Sequence, residues 1–168
     1  MVQLYYGDGK GKTTAAVGAA VRAAGAGASV LFVSFYKDGS SSEVAALERL
    51  GVQCLFPREQ FQMFCPVTAE KQAALAADYA RLLTEIDAVA ADCFLVVLDE
   101  GADAFAGDLL PRQAVLDLLQ RHGKEREIIL TGHSLPADLA PLCDYVTRMT
   151  KERHPFDTGA PARRGIEY

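Results

Sequence analysis

A chain of 168 residues, half of them hydrophobic, has the length of one domain and the apolar surface for a real core, so residues 1–168 are expected to fold as a single unit. Its net charge of -5 provides no general basic field, which argues against nucleic acid as a partner held by phosphate neutralisation. No run approaches the roughly 18 apolar residues of a membrane span, so no membrane partner is expected.

Taken in chain order, Val2 to Tyr6 is short, rich in strand formers and followed at once by glycines, the pattern of a buried first strand. The N-terminus shows neither the charged start nor the long apolar stretch of a signal peptide. Thr13 to Ala24 is alanine-rich and ends at Gly25 and Gly27, a helix with its stop. Val30 to Tyr36 reads as a second buried strand, Glu43 to Leu50 as a helix and Val52 to Phe56 as a short strand. Pro57 to Pro66 is irregular and carries Phe61, Met63 and Phe64, which makes it a candidate binding surface. Thr68 caps a long helix in which Leu75, Tyr79, Leu82, Leu83, Ile86 and Val89 recur at helical spacing. Phe94 to Leu98 is a strand ending in Asp99-Glu100, Gln113 to Gln120 an amphipathic helix, Ile128 to Leu130 a strand ending at Thr131-Gly132, and Tyr145 to Met149 a last strand. Continuous apolar strands separated by helices imply an α/β fold, a mostly parallel central sheet with helices on both faces.

Three segments carry chemistry. Gly7-Asp8-Gly9-Lys10-Gly11-Lys12-Thr13-Thr14 joins the first strand to the first helix. Glycines let backbone N–H groups converge on phosphate oxygens, lysine adds charge, threonine offers a hydroxyl to magnesium, and the helix N-terminus lies behind them. This loop is one residue shorter than the usual P-loop spacing, and the competing reading is a glycine turn with solvated lysines. The second segment, Leu95 to Glu100, delivers Asp99 and Glu100 to the carboxyl edge of the sheet, where an acid can hold Mg²⁺ or simply cap the next turn. The third is the tail from Arg153 to Tyr168, non-helical by its proline and glycine content, with His154 as its one titratable imidazole. Cys54, Cys65, Cys93 and Cys143 form no C-x-x-C pair and read as small core hydrophobes of a reducing, cytoplasmic protein.

The string GDGKGKTTAA, the continuation Val21-Arg22-Ala23-Ala24-Gly25, the acidic LDE, Leu130-Thr131-Gly132 and the ending RHPFDTGAPARRGIEY together resemble the P-loop type of corrinoid adenosyltransferase over nearly the whole chain. The short loop and the terminal pattern, HPFD-x-G followed by Gly165-Ile166, an acid and an aromatic residue, are themselves traits of that family. The resemblance implies a homodimeric, P-loop NTPase-like protein that binds Mg²⁺ and ATP in reverse along the loop and transfers adenosine from ATP to the Co(I) of a corrinoid substrate, releasing triphosphate, in biosynthesis or salvage. It implies ATP contacts from Gly7, Asp8, Gly9, Lys10, Gly11, Lys12, Thr13, Thr14, Arg22 and His133. Lys12 and Glu100 would carry catalysis, and Thr13, Glu100 and Asp99 would serve the metal. Phe61, Met63 and Phe64 would displace the lower cobalt ligand so that a flavoprotein reductant can reach Co(I), and His154, Phe156, Asp157 and Gly159 form the tail motif. His133 stands where the family often has arginine, Phe61 and Phe64 are spaced by two residues rather than one, and Arg148 replaces a commoner acid. The readings from other classes are a P-loop NTPase or small-molecule kinase acting at the γ-phosphate, and a corrinoid carrier without turnover.

Overall fold

The computed structural model describes residues 1–59 and 68–167, and of Phe156 the backbone alone. Strands β1 (Val2–Tyr6), β2 (Val30–Ser34), β3 (Gln53–Leu55), β4 (Leu95–Asp99), β5 (Glu127–Gly132) and β6 (Tyr145–Arg148) form one sheet in the order β3-β2-β4-β5-β1-β6. Every neighbouring pair is parallel. Helices α1 (Lys12–Gly25), α2 (Ser42–Arg49), α3 (Ala69–Ala90), α4 (Gly101–Ala106) and α5 (Arg112–His122) connect them.

The alternation of side chains along a strand divides the core into two layers. Val30 and Phe32 of β2, Leu95 and Val97 of β4 and Ile129 of β5 pack with Ala16, Ala20 and Ala23 of α1 and Leu47 of α2. Their neighbours Leu31, Val33, Val96, Leu98, Ile128 and Leu130 pack with α3, α4 and α5 on the other face. Strands buried on both faces need no polar alternation, and β2 and β4 are buried at all five positions. Alanine on the inner stripe of α1 lets that helix lie close to the sheet. On α3, Leu75, Tyr79, Leu82, Leu83, Ile86 and Ala90 bury the opposite stripe, and the Tyr79 hydroxyl donates to the carbonyl of Phe35. Thr68 caps α3 by accepting from the Lys71 N–H at 3.2 Å.

Several expectations needed adjustment. β2 stops at Ser34 rather than Tyr36, and β4 begins at Leu95 because Phe94 points outward with 53% of its surface exposed. Helix α4 has no counterpart in the sequence reading: six residues opening on Gly101 and followed by Gly107 are too few to show a period, yet Ala102, Ala104 and Phe105 are buried. The tail, expected to be non-helical, contains a short 3-10 turn at Pro155–Thr158, where proline pre-sets the backbone and the Asp157 N–H donates to the carbonyl of His154. Phe61, Met63 and Phe64 lie outside the described residues. No helix among the described residues is long and apolar enough to cross a membrane.

Candidate active site

Parallel strands all end at the same edge of the sheet, and the site is assembled there from β1, β2, β4 and β5. Gly7 and Gly11 have φ of 119° and 113°, values that side chains rarely adopt. A Cβ at Gly7 would stand 2.3 Å from the carbonyl oxygen of Met149, and one at Gly9 2.8 Å from it, so the loop needs glycine to lie against the end of β6. It is stitched in place there: the Gly7 N–H donates to Gly132 at 3.2 Å, the Gly9 N–H to Met149 at 2.9 Å, and the Lys151 N–H to the Asp8 carboxylate at 3.2 Å. The Lys12 ammonium spans the turn, donating to the carbonyls of Gly7 at 2.7 Å and Gly9 at 2.9 Å. Two of its three protons are thus committed to loop shape, and one is left for a ligand.

The two acids at the end of β4 have different surroundings. Asp99 is wholly buried and saturated. Its Oδ1 accepts from the hydroxyls of Thr13 and Thr131, each at 2.8 Å, and Lys37 stands 3.4 Å from Oδ2. Glu100 follows in the left-handed region at φ 60°, its N–H donating to the Thr131 hydroxyl at 2.8 Å, and its buried Oε2 has no partner. Burial, and then the charge of Asp99, push the Glu100 carboxyl above the usual glutamate range. Burial opposes the charge of Lys37, but Asp99, Glu100 and Glu43 outweigh it and raise the ammonium above the usual lysine value. A strained backbone beside a buried, unpartnered carboxylate oxygen is a costly arrangement, of order 1–3 kcal/mol for the backbone alone, and a cation bound at the carboxylate would offset it.

That cavity holds about 300 Å³ between the loop, Lys37, Glu100, Thr131 and His133. Among the described residues no cluster of three or more His, Cys, Asp or Glu could hold a metal ion by itself. Glu100 and Thr13 offer one carboxylate and one hydroxyl oxygen, the kind of sparse oxygen set with which Mg²⁺ can be held when water and substrate phosphate complete its shell. His133 is placed at the cavity by Asp103, which accepts from its backbone N–H and pairs with its Nδ1, both at 2.8 Å.

Not every candidate is brought to this place. Arg22 lies in the last turn of α1, about 15 Å along the axis from Lys12 by helical rise, and it does not line the cavity. Of the tail motif, His154 lines the cavity, whereas Asp157 is 3.0 Å from Lys151 and Gly159 turns the chain at φ 79°. Sequence reasoning missed Lys37 and Asp103, and gave Ile166 and Glu167 no role beyond membership of the terminal pattern; all four line the cavity. Lys37 follows an apolar strand at the ligand-binding edge, a signal equal to the one that marked Asp99. Asp103 belongs to the unread α4, and Ile166 and Glu167 arrive only because the tail folds back. Among the described residues the thiols do not line the cavity, and burial pushes Cys54 and Cys143 up to about 11 and also raises Cys93.

Residues 1–168 match the family described as ATP:corrinoid adenosyltransferase BtuR/CobO/CobP. The chain belongs to that family. It is 35% identical over its whole length to the corrinoid adenosyltransferase CobA of Salmonella typhimurium, covering 85% of that protein. It is 33% identical, again over its whole length, to the corrinoid adenosyltransferase of Escherichia coli K12, 85% of which it covers. The enzyme of Pseudomonas aeruginosa is 29% identical over 98% of this chain and 82% of its own.

Proposed function

We propose that the loop 7–14 grips the triphosphate of ATP while the adenosyl group passes to the cobalt of a bound corrinoid. Activity of this class, ATP-dependent adenosyl transfer to a corrinoid in cobalamin synthesis, follows from family membership. In the reaction the electron pair of Co(I) forms the bond to the 5′ carbon, the bond from that carbon to the triphosphate oxygen breaks, and its pair leaves with the triphosphate. The protein then needs no general base. Its contribution is to fix the 5′ carbon for attack and to meet the charge that grows on the leaving oxygens.

The observation that carries this assignment is the unpartnered, buried Oε2 of Glu100 at the cavity beside Thr13 and Lys12. Glu100 and Thr13 would hold Mg²⁺, with Asp99 orienting the Thr13 hydroxyl. Bound there, the cation would draw negative charge from the phosphate oxygens. Lys12 keeps the turn open and directs its remaining proton at phosphate, the loop N–H groups converge on the same oxygens, and Lys10 and Lys37 flank them. His133 contacts the anion where relatives often use arginine. Phe61, Met63 and Phe64 take the role of the corrinoid wedge, a homodimer is the working assembly, and the cytoplasm, with a flavoprotein as electron source, is the setting.

Product analysis tests the assignment directly. With ATP and chemically reduced corrinoid, tripolyphosphate should appear in step with the absorption change of the cobalt–carbon bond. Release of ADP and phosphate instead would mean chemistry at the γ-phosphate and would overturn it.

A further inference from the structure

The tail carries an anion into a site built for anions. The Glu167 Oε1 lies 2.7 Å from the Lys10 ammonium, and Glu167 lines the same cavity as the phosphate loop. Its position is enforced rather than loose. Arg163, four residues earlier, donates to Oε2 from its own backbone N–H at 2.8 Å and from Nε at 3.2 Å, and its Nη2 reaches Oε1 at 3.0 Å. The Glu167 N–H also donates to the Arg163 carbonyl at 2.9 Å, which closes residues 163–167 into a turn with the carboxylate at its tip. A lone exposed ion pair would have no such scaffold. The hydrogen bonds from Arg163, then Lys10, hold this carboxyl down to about 2, so it is an anion at any working pH.

We propose that Glu167 is an internal competitor of the triphosphate for Lys10, a carboxylate that yields when the nucleotide binds and returns to help expel the triphosphate product. The inference rests on the reading of loop 7–14 as the phosphate site. Lys10 is 45% exposed at the cavity mouth, and its ammonium cannot meet the carboxylate at 2.7 Å and a phosphate oxygen without bringing two anions together. Triphosphate is a product of high charge with several loop contacts, and it would leave slowly from a site that offered no substitute anion. Glu167 supplies one at high effective concentration because it is tethered.

Titration calorimetry with magnesium tripolyphosphate, without corrinoid, tests this in the chain of residues 1–168. Glu167→Gln should bind tripolyphosphate about two- to five-fold tighter than the parent, the scale of one partly exposed ion pair, and product inhibition by tripolyphosphate should strengthen by a similar factor. In a Lys10→Gln background, Glu167→Gln should produce no further change, because the group being competed for is gone. Unchanged or weaker binding by Glu167→Gln, or tightening that persists without Lys10, overturns the proposal even if the parent binds normally. If the parent itself fails to bind tripolyphosphate, the phosphate-site reading falls and this inference with it.

Discussion

At the scale of single residues, the site separates two side chains that adjacent numbers would have made equivalent. Asp99 has its oxygens occupied by Thr13, Thr131 and Lys37, while Glu100 keeps Oε2 unpartnered. The two replacements should therefore differ. Glu100→Gln keeps volume and removes charge, so it should raise the magnesium concentration needed for half-maximal turnover at least about ten-fold, a modest fraction of what one preorganised charge contributes, in a titration at fixed ATP. Stability should move the other way. Burial raises the native carboxyl above its ordinary value of 4.5, so between the two values the native state binds more protons than the unfolded one. Stability then falls as pH rises through that window and the deficit is complete above it. Metal-free Glu100→Gln should accordingly melt above the parent at pH 7 and lose that advantage at acid pH, as thermal scans at both pH values would show. Lys12→Ala removes both the phosphate charge and the bonds to Gly7 and Gly9 that shape the loop, and should lower turnover by about 10² or more. Activity within a few-fold of the parent would contradict the loop assignment.

At the scale of elements, the legible parts were those whose burial is regular. β1 was read to the residue, and α1, α2, α3 and α5 within about two residues at their ends, because apolar strands and 3.6-residue stripes are local signals. What was not legible depends on partners distant in sequence. Helix α4 is buried by contacts that only the finished sheet supplies, and Lys37 becomes a site residue because β2 pairs with β4, bringing Ser34 into register with Asp99. Asp78 is another such case. On α3 it reads as one polar position in a helix, yet it is buried, accepts the N–H groups of Arg58 at 2.6 Å and Glu59 at 2.8 Å, and pairs with Arg81. It thereby fixes the chain just before the segment that holds Phe61, Met63 and Phe64. Asp78→Asn should cost about 1–3 kcal/mol at pH 7, the loss of a buried charged acceptor from two part-buried backbone donors and Arg81. Although burial opposes it, the bonds from Glu59, Arg81 and Arg58 keep the native carboxyl below its ordinary 3.8. The native state then binds fewer protons than the unfolded one, so this stabilisation is whole above 3.8 and is lost as pH falls through the native value. The gap in melting temperature between parent and Asp78→Asn should close on acidification.

At the scale of the whole molecule, the core and the site are built by different parts of the chain. Among the described residues, every buried apolar side chain lies at or before Leu139, while the tail beyond Thr150 reaches the cavity through His154, Ile166 and Glu167. Its described links to the body include the Lys10–Glu167 pair and the Lys151 N–H to Asp8, both exposed and polar. Folding and site closure should therefore be separable by truncation. A chain ending at Thr150 keeps β6 in register with β1 and keeps Met149 against Gly7 and Gly9, so the sheet and the loop remain intact. Its melting temperature should stay within about 5 °C of the parent, since the described core lies outside the tail and about 2–4 °C corresponds to 1 kcal/mol in a domain of this size. Turnover should nevertheless fall by about ten-fold or more, because an open cavity leaves the triphosphate hydrated and the 5′ carbon less firmly held. Tripolyphosphate binding should survive in the same protein, since the loop, Lys12, Thr13 and Glu100 are all retained. A truncated chain that is unfolded by circular dichroism would show that the tail belongs to the fold, and one with parental turnover would show that closure of the site does not require it.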